Sequence, residues 1–212
     1  LKVLSHRGYW TSPAEKNTVQ AFKRSFELGF GTETDVRDCG GRLLISHDMP
    51  RGDESTFREF AALVDRRDLP MAINIKADGL ADAVAREAAA AGLSDWFVFD
   101  MSVPDLRAHL KAGNPVFTRM SEVEQDPVWL EQAQGVWLDG FDGTWFNLGT
   151  IEALLGRGKR VCVVSSELHG RDPGLLWQML VPLAPNPALM LCTDLPEIAR
   201  NRFAADRLSP TT

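Results

Sequence analysis

A chain of 212 residues with 44% hydrophobic content is long enough to bury a full core, and strand-helix barrels of roughly this size fold as one unit, so a single domain over residues 1–212 is expected. The formal charge of −6 excludes a broad nucleic-acid surface, which needs a basic field to neutralise many phosphates; any phosphate handled here must be met locally. No apolar run approaches the ~20 residues that span a bilayer, and Cys39, Cys162 and Cys192 form no C-x-x-C pair, which fits a reducing compartment or no use for disulfides. The chain opens directly in a strand-like run, so a cytoplasmic location is expected unless a signal peptide has been removed. Composition leaves the oligomeric state open.

Taken in chain order, short apolar runs alternate with helical patterns. Lys2 to Ser5 reads as a strand, and Asn17 to Leu28 as a helix with Phe22 and Phe26 on one stripe, Asn17 as its cap and Gly29 past its end. Gly31 to Val36 is the second strand. Cys39-Gly40-Gly41-Arg42 then turns a hairpin, whose return leg places positions near 46 and 47 opposite positions near 34 and 35. The segment from Phe57 to Val64 has room for one short helix and none for an inserted subdomain. Strands follow at Met71 to Lys76, Trp96 to Phe99, Pro115 to Arg119, Gly135 to Asp139, Arg160 to Val164 and Leu189 to Thr193. The intervening helices are Leu80 to Ala91, Pro104 to Ala112 behind a Ser102/Asp105 box, Val128 to Gln134, Leu148 to Leu155, Leu175 to Leu180 and Pro196 to Ala205. Eight alternations favour a single (β/α)8 TIM barrel, with a β-hairpin after the second strand.

In such a barrel the residues ending the strands form the functional face. The first run ends in His6-Arg7, the second in Glu33 and Asp35, the third in Asn74 and Lys76, the fifth in Arg119 and the last in Thr193-Asp194. Glu33 and Asp35 are two apart in an extended stretch, so both leave one face and can share one hard divalent cation. The hairpin returns His47-Asp48 to their level. One hard cation, two imidazoles and the cationic pair Arg7 and Lys76 make up what phosphodiester cleavage requires: charge compensation on the non-bridging oxygens and two proton carriers.

These residues also carry a family likeness. His6-Arg7-Gly8, Asn17-Thr18 with Ala21-Phe22, Glu33-Thr34-Asp35-Val36, Gly41 and His47-Asp48 resemble the opening signature of the glycerophosphodiester phosphodiesterases, and Ile73-Asn74-Ile75-Lys76 and Thr193-Asp194-Leu195-Pro196 match later landmarks in order. The resemblance implies a barrel of the phosphatidylinositol-phosphodiesterase type. It also implies His6 and His47 as general acid and base, Glu33 and Asp35 as ligands of Mg2+ or Ca2+, and Arg7 and Lys76 on phosphate. Three departures stand out. Asn74 replaces a third metal-binding glutamate; Lys16 precedes Asn17 where the family has a glutamate, with Glu15 displaced by one position; and the helical insertion after the second histidine is missing. That last feature resembles the sphingomyelinase D branch and would admit a lysophospholipid or a polyol-phosphate polymer. The end of the seventh run, Val164-Ser165-Ser166-Glu167, also lacks the tryptophan of many relatives.

The remaining candidates are read conservatively. Asp100, Arg119 and Asp139 end barrel strands and either touch substrate or pair structurally; Asp48 orients His47. His109, between Arg107 and Lys111, reads as a surface residue, and His169 lies in a loop that could overhang the site. Trp145, with Phe146 after Asp142-Gly143-Thr144, is the best aromatic for gripping a substrate. No G-x-S-x-G elbow, H-E-x-x-H helix, phosphate loop or dinucleotide fingerprint is present. The expected activity is therefore metal-dependent hydrolysis of a small or lipid-derived phosphodiester; the rival is a phosphate-binding barrel that has lost catalysis, motivated by Asn74.

Overall fold

In the computed structural model, which describes residues 1–64 and 68–205, eight parallel strands close into a barrel. They are β1 (Lys2–His6), β2 (Gly31–Cys39), β4 (Met71–Ile75), β5 (Trp96–Phe99), β6 (Phe117–Met120), β7 (Gly135–Leu138), β8 (Arg160–Val164) and β9 (Leu189–Thr193), hydrogen-bonded in the order β5-β4-β2-β1-β9-β8-β7-β6. The seam between β5 and β6 is closed by a parallel bridge from Val98 to Val116, with the Val98 N–H donating to Pro115 O at 2.9 Å. β3 (Arg42–Ile45) folds back antiparallel on β2 as the expected hairpin. Around the barrel run α1 (Val19–Glu27), α2 (Phe57–Ala62), α3 (Ala81–Ala91), α4 (Val103–Lys111), α5 (Leu148–Gly156), α6 (Gly174–Leu180) and α7 (Pro196–Ala205). No helix among the described residues is long and apolar enough to cross a membrane.

The period-two alternation of the strands sorts their side chains into two cores. One row faces the barrel interior, where Leu4, Ala72, Phe97, Phe99, Phe117, Trp137, Cys162 and Cys192 pack. Phe97 stacks on Phe117 with centroids 3.7 Å apart and Phe99 on Trp137 at 3.8 Å, so aromatic planes plug the interior. The opposite row packs under the helices, as Val36, Ile73 and Val98 do with Phe22, Phe60 and Val84. Stepping two residues up each inward row leads from Ala72 to Asn74, Trp137 to Asp139 and Cys192 to Asp194. An apolar plug thus ends in a polar mouth.

Gly135 opens β7 where the barrel leaves no room for a side chain. A Cβ there would meet Phe117 Cζ at 2.4 Å and the Arg160 carbonyl at 2.5 Å. Since neither a stacked ring nor a strand backbone yields easily, Gly135→Ala is expected to cost about 1–3 kcal/mol through overpacking, read as a lower denaturant midpoint at unchanged slope.

Three local expectations are corrected. Asn17 does not cap α1. The side chain of Thr18 does, accepting from the Ala21 N–H, while Asn17 adopts φ +60 and turns into the functional face. Residues from Val128 to Gln134 form turns instead of a helix: Trp129 at φ +64 leaves the helical region, and the N–H groups of Gln132 and Ala133 both fold back on its carbonyl. His109 is not on the surface. It is 0% exposed on the inner side of α4, with Nδ1 accepting from Asn114 Nδ2 at 2.9 Å and Nε2 facing Asp105 Oδ2 at 3.4 Å. The polar residues beside it in sequence hid a buried network.

Burial lowers the His109 pKa, and the Asp105 charge only partly opposes it. The unfolded chain, with a histidine near 6.5, binds this proton at a higher pH than the folded chain. The stability owed to neutral His109 is therefore complete above about pH 6.5 and is lost as pH falls toward the lower folded value. Urea melts between pH 7.5 and 5 should show that decline, and His109→Gln should flatten it.

Candidate active site

Adjacent strands in register assemble the mouth. His6 lies beside Glu33 across β1 and β2, and Asp35 beside Asn74 across β2 and β4. Immediately after β1 the chain bends sharply, with Arg7 at φ +58 and Gly8 at φ +81. Only glycine fits the second position, because a Cβ would come within 2.7 Å of Ala21 Cβ on α1. The bend aims the Arg7 N–H at Glu33 Oε2, 3.1 Å away, and returns its guanidinium to Asp35 at 2.9 Å.

Asp35 is fully buried and heavily engaged. Lys76 Nζ stands 3.5 Å from Oδ1, and Asn17 Nδ2 donates to Oδ2 at 2.9 Å while Asn17 Oδ1 accepts from the Thr34 hydroxyl at 3.0 Å. Glu33, also buried, has its pKa raised well above the carboxylate range by desolvation and then by the Asp35 charge; Arg7 and Lys76 pull the other way.

The donor set suits a hard divalent ion. Asn74 Oδ1 and Asp35 Oδ1 are both buried without a hydrogen bond among the described residues, and an amide oxygen beside two carboxylates is an oxygen-ligand combination that Mg2+ or Ca2+ accepts. Asn74 Nδ2 donates to Asp100 Oδ2 at 3.4 Å, fixing which amide atom remains open. The candidate ligands are Glu33, Asp35 and the Asn74 amide; among the described residues no three histidine, cysteine, aspartate or glutamate side chains converge as an ion site.

His6 is held from behind. Its Nδ1 lies 2.8 Å from Asp194 Oδ1, which leaves Nε2 facing Glu33 Oε2 at 4.0 Å. With an ionised Asp194 as acceptor, the Nδ1 proton stays in that bond and Nε2 is the exchanging atom. Asp194 is fixed in turn by Glu167, whose Oε1 accepts from the Asp194 N–H at 3.1 Å and from the Thr193 hydroxyl, while Ser165 donates to Oε2. Sequence reasoning missed Glu167. Its signal was a lone acid right after a barrel strand, on a 3-10 turn running Ser166–His169.

His47 occupies a different position from His6. Ser46 N–H donates to Asp35 O at 3.0 Å, as the hairpin register requires, and the next residue, His47, points its Nδ1 at Asp48 Oδ1, 2.8 Å away. Its side chain is 45% exposed and has no hydrogen bond or ion pair to Glu33, Asp35 or His6. It borders an open cleft with Arg7, Lys16 and Asn17. The structure therefore gathers His6, Arg7, Glu33, Asp35, Asn74 and Lys76, with His47 on the flank. Glu15 turns away, taking hydrogen bonds from Thr11 and Arg24 that lower its pKa to about 2.

Across the mouth, Arg119 bridges Asp100 and Glu124, each at 3.0 Å, and its guanidinium lies 5.8 Å from the Phe141 ring. Asp139 accepts from the Gly140 N–H and lies 2.7 Å from His169 Nε2; burial raises its pKa against the pull of that imidazole. Trp145 is half-buried and donates its indole N–H to Asp139 O at 2.7 Å. The exposed aromatic of this loop is Phe141, 40% accessible.

No family model and no curated protein matches the chain. Solved structures do. A glycerophosphodiester phosphodiesterase from Agrobacterium tumefaciens superposes with a TM-score of 0.71 at 19% identity, covering 98% of this chain and 99% of the other. One from Parabacteroides distasonis gives 0.71 at 14% identity, covering 97% and 98%. The barrel fold is that of the glycerophosphodiester phosphodiesterases. A Ca2+-dependent phosphatidylinositol-specific phospholipase C from Streptomyces antibioticus follows at a TM-score of 0.55 and 14% identity, covering 94% and 95%. Near-complete coverage on both sides means that the barrel accounts for nearly the whole of the chain and of these neighbours.

Proposed function

We propose that this chain is a divalent-cation-dependent phosphodiester hydrolase acting on a glycerophosphodiester or a related polyol or lipid phosphodiester. The observation that carries the reading is the convergence of one imidazole, two buried carboxylates, an orphaned amide oxygen and two cations at the open end of a barrel whose fold neighbours are phosphodiesterases. A cation held by Glu33, Asp35 and Asn74 would offset charge on the non-bridging phosphate oxygens. Arg7 and Lys76, already turned toward Asp35, are placed to contact the same phosphate from the protein side.

His6 has the geometry of a proton carrier: Asp194 pins Nδ1, and Nε2 faces the carboxylate pair. His47, which lines the same cleft as Arg7, is the second imidazole of the sequence signature. Arg119 would meet the far part of the substrate; Trp145, its N–H committed to Asp139, would offer only its ring face. The test is turnover of a phosphodiester panel with Mg2+, with Ca2+ and with chelator. Cation-dependent release of an alcohol and a phosphomonoester supports the reading, and no turnover of any diester with either ion refutes it.

A phosphate-binding barrel without catalysis is the second reading, favoured by Asn74 and by an Asp35 already neutralised by Arg7 and Lys76. Under it, phosphate binds without cation and Asn74→Glu restores neither ion binding nor turnover.

A further inference from the structure

We propose that Asp100, itself pinned by Arg119, is a positioning residue that turns the Asn74 amide so that its oxygen, and not its nitrogen, faces the cation. The proposal rests on the cation-dependent reading of the mouth. A carboxylate offers an oxygen whichever way it rotates, whereas an amide offers an oxygen one way and two N–H donors the other. An asparagine ligand therefore needs a neighbour that selects its flip. Asn74 is 7% exposed, and its Oδ1 has no hydrogen bond among the described residues, while its Nδ2 donates to Asp100 Oδ2 at 3.4 Å. Asn74 pairs in register with Asp35, whose Oδ1 is likewise buried without one.

Three strands supply the selector. Asn74 lies near the upper end of β4, and Asp100 follows β5 directly at φ +67, a left-handed conformation that aspartate tolerates better than most side chains. Arg119 lies on β6, across the β5–β6 seam; its Nη1 donates to Asp100 Oδ1 at 3.0 Å and its Nε to Glu124 Oε2 at 3.0 Å. The carboxylate is thus engaged through both oxygens: a guanidinium that can only donate takes Oδ1, and Oδ2 is left to Asn74. An ionised carboxylate only accepts, so the amide can meet it only with its N–H groups. Its oxygen stays open for the cation.

Asp100→Asn reverses the selection without changing the shape of the side chain. Arg119 has only donors to offer, so it keeps the amide oxygen of the substituted side chain and turns the substituted NH2 group toward Asn74. Asn74 must then answer with its own oxygen, and the cation meets an NH2 group in its place. Disturbing an outer partner that orients a metal ligand costs about 10–100-fold in metal affinity. None of this applies when position 74 carries a carboxylate, because Asn74→Asp supplies an oxygen in either orientation.

The test is calorimetric titration with Mg2+ and with Ca2+ of four metal-free chains: wild type, Asp100→Asn, Asn74→Asp and the double variant. Asp100→Asn should weaken binding of the preferred ion by about 10–100-fold in the wild-type background and by less than about threefold in the Asn74→Asp background. The retained affinity of the double variant also shows that Asp100→Asn leaves the mouth folded. Unchanged affinity in Asp100→Asn would overturn the proposal alone, because the contact is then incidental. A loss of similar or greater size in the Asn74→Asp background would overturn it too, because Asp100 then acts only as a nearby negative charge or a prop of the fold. A wild-type chain that binds neither ion would overturn the cation-dependent reading with it.

Discussion

His6→Ala is expected to lower kcat/KM for a glycerophosphodiester by about 10²–10⁴-fold, the range for a positioned proton carrier, with little change in stability. The ring lies at the mouth, 17% exposed, and its removal leaves no cavity in the apolar plug. Its partners predict the texture of the loss. Asp194→Asn keeps the shape of the couple but replaces an acceptor-only carboxylate by an amide that can also donate, so the ring can take the wrong tautomer; a substantial fall in kcat with KM nearly unchanged is expected. Glu167→Gln should act more weakly in the same direction, since the Asp194 N–H keeps an amide oxygen to bond. Steady-state kinetics on the three variants, with melting curves as controls, separate loss of chemistry from loss of fold.

The second large effect concerns Asp35. It lies fully buried between Arg7 at 2.9 Å and Lys76 at 3.5 Å and accepts from Asn17. Asp35→Ala takes from Arg7 and Lys76 the buried carboxylate they share and strands an amide donor, an arrangement that costs about 3–5 kcal/mol. At about 2–4 °C per kcal/mol for a chain of this size, Tm should fall by roughly 10 °C. Activity should vanish as well, since the proposed ion loses a ligand and Arg7 loses its anchor. Asp35→Ala combined with Lys76→Met should recover part of the stability and none of the activity. A double-mutant cycle by chemical denaturation measures that recovery.

The fold was legible because strand period and strand-end chemistry agree. Eight apolar runs, most of them ending in or followed by a polar residue, describe a barrel whose inward rows rise into a mouth. His6, Glu33, Asp35, Asn74 and Lys76 were placed by that parity and Arg7 by following His6, and the structure brings them together. What escaped was chemistry made by long-range or irregular backbone. Asn17 reads as a helix cap, yet its positive φ sends the side chain to Asp35. His109 reads as solvated, yet it is buried in the α4 packing, with Nδ1 bonded to Asn114 and Nε2 facing Asp105 at 3.4 Å. Glu167 sits on a 3-10 turn with no apolar period to announce it. Trp129 shows the converse: a plausible helical window is broken by one left-handed residue.

The central claim is that Glu33, Asp35 and Asn74 together hold one divalent cation on which turnover depends. Calorimetric titration of the metal-free chain with Mg2+ and with Ca2+, repeated on Glu33→Gln and paired with turnover in chelator, tests it most directly. One ion per chain, lost in Glu33→Gln, with turnover abolished by chelator and restored by the ion, is the predicted result. Binding untouched by Glu33→Gln, or full turnover in chelator, would contradict it.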